Sequence, residues 1–235
     1  MMPRAVTLCL FLAAYGNIAS LVVGTATPVG SWSGVLLGVL LVGLVLIWGR
    51  WSDQLTATEL GLTPRGVVRS AGLGLLVALG TAVAALLFLR FPPLVGQAVE
   101  YAPLASLSPE ALLWRAFVWM PLDTAIPEEV AFRGVLLASL RRRWSELPAV
   151  LVSAAVFTSW HGVIVSRTVA LTNLQSEPRL AMLGLLGALL AVGVGGVLFA
   201  WLRLATGDLA GSIVAHWAFN AVLLLSLGSG GEGRG

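Results

Sequence analysis

Six polar residues stand inside otherwise apolar stretches, and their types are those of a hydrolytic centre. Glu128, Glu129 and Arg133 occur in PEEVAFRG, His161 in FTSWH, and His216 with Asn220 in HWAFN. Both of the chain's two histidines are in this set. An ionisable group in the bilayer centre costs about 2.5 kcal/mol or more, so each is a functional candidate by default. Glu129 and Arg133 are four apart with the acid first, which lets them pair on one helical face. Glu128 is turned by about 100° from Glu129, so one carboxylate can hold the arginine while the other faces a different neighbour. His216 and Asn220 share a face, as do Phe157 and His161.

Each signal has a plainer reading. A Glu–Arg pair in a bundle can be a structural tie, a membrane histidine can be a packed hydrogen-bonding residue, and an asparagine can join helices for about 0.6–2 kcal/mol. Phe157 reads as packing. A tie needs one satisfied pair, however, and not a second carboxylate, two imidazoles and an amide on three segments. Two carboxylates against one guanidinium leave an excess acid, a group suited to general-base work. Peptide hydrolysis needs a base, a positioned water and oxyanion donors, and this set supplies all three.

The elements that position these residues are membrane helices. Of 235 residues, 58% are hydrophobic and 11% charged, with mean hydropathy +0.93, too little charge to cover a soluble surface. Seven apolar stretches reach the length of a span: Ala5–Val23, Trp32–Gly49, Val67–Leu89, Glu110–Leu140, Pro148–Ile164, Leu180–Leu204 and Leu209–Leu227. The expected fold is all-α, a polytopic transmembrane helix bundle of about seven spans. The fourth stretch contains Pro121 and Pro127, which implies one bent helix or two shorter ones; a break at Pro127 would put Glu128 near a helix N-terminus. Ser108-Pro109 reads as a helix start, and Asp208 as a cap for the last span. The organisation expected is a three-span region over 1–109, a core carrying the polar set over 110–227, and a disordered tail over 228–235. The first stretch reads as an uncleaved signal-anchor span. Cys9 reads as packing.

There is no lysine, and the fourteen basic residues are all arginine. With the N-terminus in the cytoplasm, Arg4, Arg50, Arg65, Arg69, Arg141, Arg142, Arg143 and Arg203 fall on the cytoplasmic side, and Arg90, Arg167, Arg179 and Arg234 on the other. That bias favours this orientation in a plasma membrane, with the C-terminus outside, and it points to lipid and not nucleic acid as the partner of the positive charge. Trp32, Trp48, Trp51, Trp144 and Trp201 fall near span ends, as interfacial anchors do. Counted along the helices, Glu128 and His161 lie about 16–20 Å from the cytoplasmic ends and His216 and Asn220 about 10–17 Å. These overlapping depths predict a water-reachable pocket below the cytoplasmic surface.

The ordered set E-E-x-x-x-R, F-x-x-x-H and H-x-x-x-N resembles the CAAX prenyl protease and bacteriocin-processing family, also called the CPBP or abortive-infection family. All three motifs are present, as Glu128 to Arg133, Phe157 to His161 and His216 to Asn220. The resemblance covers roughly the half of the chain from Glu110 to Leu227; before that the spans are similar only in being hydrophobic. It implies a glutamate-dependent endopeptidase that uses no metal. In that scheme Glu128 activates water, His161 binds and polarises it, His216 and Asn220 hold the oxyanion, and Glu129 with Arg133 orients and charge-balances Glu128. The partners implied are the bilayer and a peptide or membrane-protein substrate. Two other readings stay open. Glu with two His is a plausible three-ligand zinc site, although no H-E-x-x-H helix is present. The resembling family also includes bacteriocin self-immunity proteins, so a non-catalytic immunity or scaffold role fits too. A transporter with a midplane proton relay ranks below these, because no inverted repeat is visible.

Overall fold

The computed structural model describes residues 2–23, 32–63, 66–92 and 96–228. The tail residues 229–235, expected to be disordered, lie outside the described residues, as do Arg65 and Arg234. The architecture is an all-α bundle. The helices are α1 (Met2–Val23), α2 (Trp32–Ser52), α3 (Ala57–Leu60), α4 (Val67–Arg90), α5 (109–141), α6 (Glu146–Trp160), α7 (Gly162–Ala170), α8 (Pro178–Thr206) and α9 (Ala210–Gly228). No strand occurs among the described residues; one isolated bridge pairs Tyr101 with Thr172. Helices α1, α2, α4, α8 and α9 are long and apolar enough to cross a membrane, and α6 with α7 makes a sixth candidate, bent by 47°. Their outer faces carry exposed Leu36, Val39, Leu76, Leu186 and Leu190, apolar surface that lipid covers and water would not tolerate.

Helix α5 runs through the middle. It starts as expected, with the Ser108 hydroxyl accepting from Ala111 N–H at 3.2 Å and Pro109 in the first turn. Pro121 and Pro127 do not split it. They lack the N–H that an α-turn needs, and the chain widens beside each: Met120 N–H reaches the Arg115 carbonyl and Ile126 the Pro121 carbonyl, bonds of the π type, with a third such bond further on from Leu137 to the Phe132 carbonyl. The backbone stays right-handed helical through both prolines. Glu128 is therefore inside a continuous helix, not at a helix start. Widened turns of this kind concentrate at functional sites.

The fifth expected span is also corrected. It is two helices that meet at His161, where Asn17 of α1 inserts between them and takes up the backbone groups a straight helix would pair internally. Its amide donates to the Ser159 carbonyl at 2.8 Å and its oxygen accepts from Val163 N–H at 2.8 Å.

Packing brings α9 to the centre. Helix α4 buries Ser70, Gly74, Ala78 and Ala82, one small residue per turn, and α9 lies against that stripe. A Cβ on Gly74 would fall 2.2 Å from the Gly211 carbonyl oxygen, so glycine sets the approach, as small residues do between membrane helices. Asp208 does not cap from the position before the helix; α9 begins two residues on, and the carboxylate accepts from Ala210 N–H at 2.8 Å. At one end of the bundle, arginines gather on the segment between α2 and α4. Arg4 donates to the Ser52 carbonyl at 2.8 Å, Arg142 to the Glu59 carboxylate at 2.7 Å, Arg143 to Asp53 at 2.7 Å and Arg203 to the Glu59 carbonyl at 2.9 Å. The arginine-rich end expected from the sequence is thus a real structural cluster.

Candidate active site

The structure brings the sequence-predicted residues together. Glu129 and Arg133 are fully buried, 0% and 1% exposed, and pair at 3.0 Å. The other guanidinium arm donates to the Gly196 carbonyl of α8 at 3.3 Å. The Arg133 guanidinium carbon stands 4.2 Å from the Phe157 ring centre and 5.4 Å from that of Phe199, so two aromatic faces share its charge. Phe157 of the second motif therefore does more than fill space.

Glu129 also ties α5 to α9. The same oxygen that meets Arg133 accepts from His216 Nδ1 at 3.0 Å. With Nδ1–H committed to a carboxylate, His216 presents Nε2 to the centre. Phe199 stacks on its ring at 5.2 Å and 24°. His161 is set by the same logic: Nδ1 lies 2.8 Å from the Phe157 carbonyl, which can only accept, so Nδ1 carries the hydrogen and Nε2 faces inward.

Glu128 occupies the point where these groups converge. Its Oε1 accepts from Trp160 Nε1 at 3.2 Å. Its buried Oε2 accepts no hydrogen bond from the protein and stands 3.7 Å from His161 Nε2 and 3.9 Å from His216 Nε2. Those separations exceed direct hydrogen bonds and suit a bridging water. Asn220, one turn beyond His216, lines the same cavity as Glu128 and His161. Among the described residues no group of three His, Cys, Asp or Glu side chains is arranged to hold a metal ion.

The cavity has a volume of about 510 Å³. From Glu128, His161 and Asn220 it extends to Val23, Gly34, Tyr101 and Thr168, at the ends of α1, α2 and α7 and in the loop before α5. Arg115 and Asp123, ion-paired on α5, line it on the way. In the other direction α5 is sealed: Ala131, Phe132, Val135, Leu136 and Leu140 are all 0% exposed. The pocket expected below the arginine-rich surface thus opens at the opposite end, because the second half of α5 is packed solid against α1, α2 and the segment around Leu55 and Leu60.

Residues 109–222 match the family model described as Type II CAAX prenyl endopeptidase Rce1-like. Over that region, just under half of the chain, it is similar to the Rce1-like family. The matched residues carry all three motifs and lie among membrane helices, and at family level the similarity is to a CAAX-protease-like endopeptidase. Comparison with curated proteins and with solved structures returned no match. The Rce1-like region holds Glu128, Glu129, Arg133, His161, His216 and Asn220, together with Trp160, Gly196 and Phe199, which sequence reasoning missed. Trp160 was legible as the neighbour of His161 in FTSWH. The Gly196 carbonyl had no sequence signal. Asn17 lies outside the Rce1-like region; its signal was an amide within an apolar span.

Proposed function

We propose that this protein is an intramembrane endopeptidase that uses a glutamate-activated water to cut a peptide bond of a membrane-associated protein or peptide. The observation that carries the reading is Glu128 Oε2, a buried carboxylate oxygen without a protein donor, faced by two imidazole nitrogens at 3.7 and 3.9 Å. A water bridging those atoms gives one proton to Glu128 as its oxygen attacks the scissile carbonyl. His161 Nε2, unprotonated while Nδ1–H holds the Phe157 carbonyl, accepts a hydrogen bond from the water's second O–H, which stays on the attacking oxygen, and so aims the attack. His216 Nε2–H and the Asn220 amide donate to the developing oxyanion. Glu128 then returns its proton to the leaving amine, closing the balance of the hydrolysis.

By the arginine distribution, the end carrying Arg141 to Arg143 is cytoplasmic in a plasma membrane, the N-terminus lies on that side and the C-terminus outside. The cavity mouth then faces away from the cytoplasm, and substrate is presented there.

Glu128→Gln keeps shape and the Trp160 bond but cannot take a proton. In native membranes it should accumulate uncleaved substrate that the wild type removes. A Glu128→Gln variant that cleaves at the wild-type rate ends the proposal. Retention of the cellular phenotype by this variant would favour the scaffold or immunity role, and loss of wild-type activity with a strong chelator, restored by zinc, would favour a metallopeptidase.

A further inference from the structure

Helix α1 lies outside the Rce1-like region 109–222, yet two consecutive residues of it touch Trp160, which faces Glu128, and the next ties the backbone on either side of His161. Tyr15 stacks on Trp160, with ring centres 5.9 Å apart and planes at 16°, and its hydroxyl donates to the Leu37 carbonyl of α2 at 2.7 Å. Gly16 lies directly under the indole: a Cβ there would fall 2.2 Å from Trp160 Cδ2. That indole donates to Glu128 Oε1, so the depth of α1 at Gly16 sets where the donor sits. Asn17 spans the break at His161. It ties the Ser159 carbonyl to the Val163 N–H, the peptide groups two residues before and after the histidine.

A helix broken inside a membrane must satisfy its freed backbone groups from a neighbour. Asn17 does so here at the one place where the bend determines the direction of an imidazole. We infer that Gly16 and Asn17 are positioning residues of the reaction: Asn17 fixes the 47° bend that aims His161 Nε2 at Glu128, and Gly16 seats the Trp160 donor that holds the Glu128 carboxylate. The inference rests on the peptidase reading. It makes α1 part of the site and not only a membrane anchor.

Misplacing a catalytic group by about 1 Å costs on the order of a hundredfold in rate. The full-length protein in membranes is assayed on the substrate trapped by Glu128→Gln. Asn17→Ala is expected to lower kcat by about ten- to a hundredfold per folded molecule with KM little changed. Asn17→Asp gives a sharper readout. Its protonated form can accept from Val163 N–H and donate to the Ser159 carbonyl, so its kcat should recover as the pH is lowered, a limb absent from both wild type and Asn17→Ala. Gly16→Ala, which pushes the indole off its seat, should show the same drop in kcat should Asn17→Ala fold poorly. Wild-type kcat in folded Asn17→Ala or Gly16→Ala overturns the inference. So does a deficit lying only in the amount of folded protein, with no acid recovery in Asn17→Asp. These outcomes are separable from the parent reading, which stands or falls on Glu128→Gln.

Discussion

Removal of Arg133 probes the centre most directly. Its guanidinium is 1% exposed and 3.0 Å from a carboxylate that is 0% exposed. At an effective dielectric of about 20 the attraction at that distance is about 5 kcal/mol. Arg133→Met keeps an unbranched stem in contact with Phe157 but leaves Glu129 as a buried carboxylate without its guanidinium, still held by His216. Breaking a buried pair from one side costs about 3–5 kcal/mol, most of it the stranded charge. Glu129→Gln strands the guanidinium and should cost a similar amount. The double variant removes both charges, so its cost should fall short of the sum of the two single costs by about 2–3 kcal/mol. Reversible unfolding of the protein purified in mild detergent measures all four corners of the cycle. Single costs below about 0.5 kcal/mol, or additivity within that margin, would refute the reasoning, because neither charge would then depend on the other.

Three further outcomes follow from the same geometry. Asn220→Ala should fold normally and lose about 10²–10³ in turnover, the usual cost of one oxyanion donor; normal turnover on the trapped substrate removes Asn220 from the catalytic set. In a Cys9→Ala background, Thr124→Cys and Thr168→Cys should react with a membrane-impermeant maleimide added outside intact cells, and Ser145→Cys only after permeabilisation, with the reverse pattern inverting the proposed orientation. Stability should fall on acidification through Asp53 and Glu59. Burial works to raise the Asp53 carboxyl, but the Arg143 hydrogen bond and the charges of Arg143 and Arg142 outweigh it and hold it low, while Glu59 is held low first by the Thr56 N–H and then by Arg142. Both groups are depressed relative to the unfolded chain, so their stabilisation is complete above about pH 4 and is lost as pH falls through their folded values. Asp53→Asn should flatten the acid limb of a stability–pH curve, and a limb as steep as wild type would show that Asp53 carries none of it.

The sequence by itself determined the solvent, the elements and the membership of the site. Long apolar runs can satisfy their backbone in lipid only as helices, so spans could be read from composition, and charged groups inside them stood out because lipid penalises them. The offset of Glu128 from Glu129 also foretold that one carboxylate takes the arginine and the other faces a different neighbour, here Trp160. What remained for the tertiary structure was everything that depends on a neighbour distant in sequence. Pro121 and Pro127 left open one bent helix or two shorter ones, because whether a proline cuts or widens a helix depends on the packing around it, and here α5 continues through both. His161 read as mid-helix, but the helix bends there, and Asn17, from a helix more than a hundred residues earlier, takes the backbone groups that the bend frees. Likewise, the depths of the polar residues were countable along each helix, whereas the open end of the cavity was not: it depends on which half of α5 the other helices bury, a property of their mutual packing that no single segment encodes.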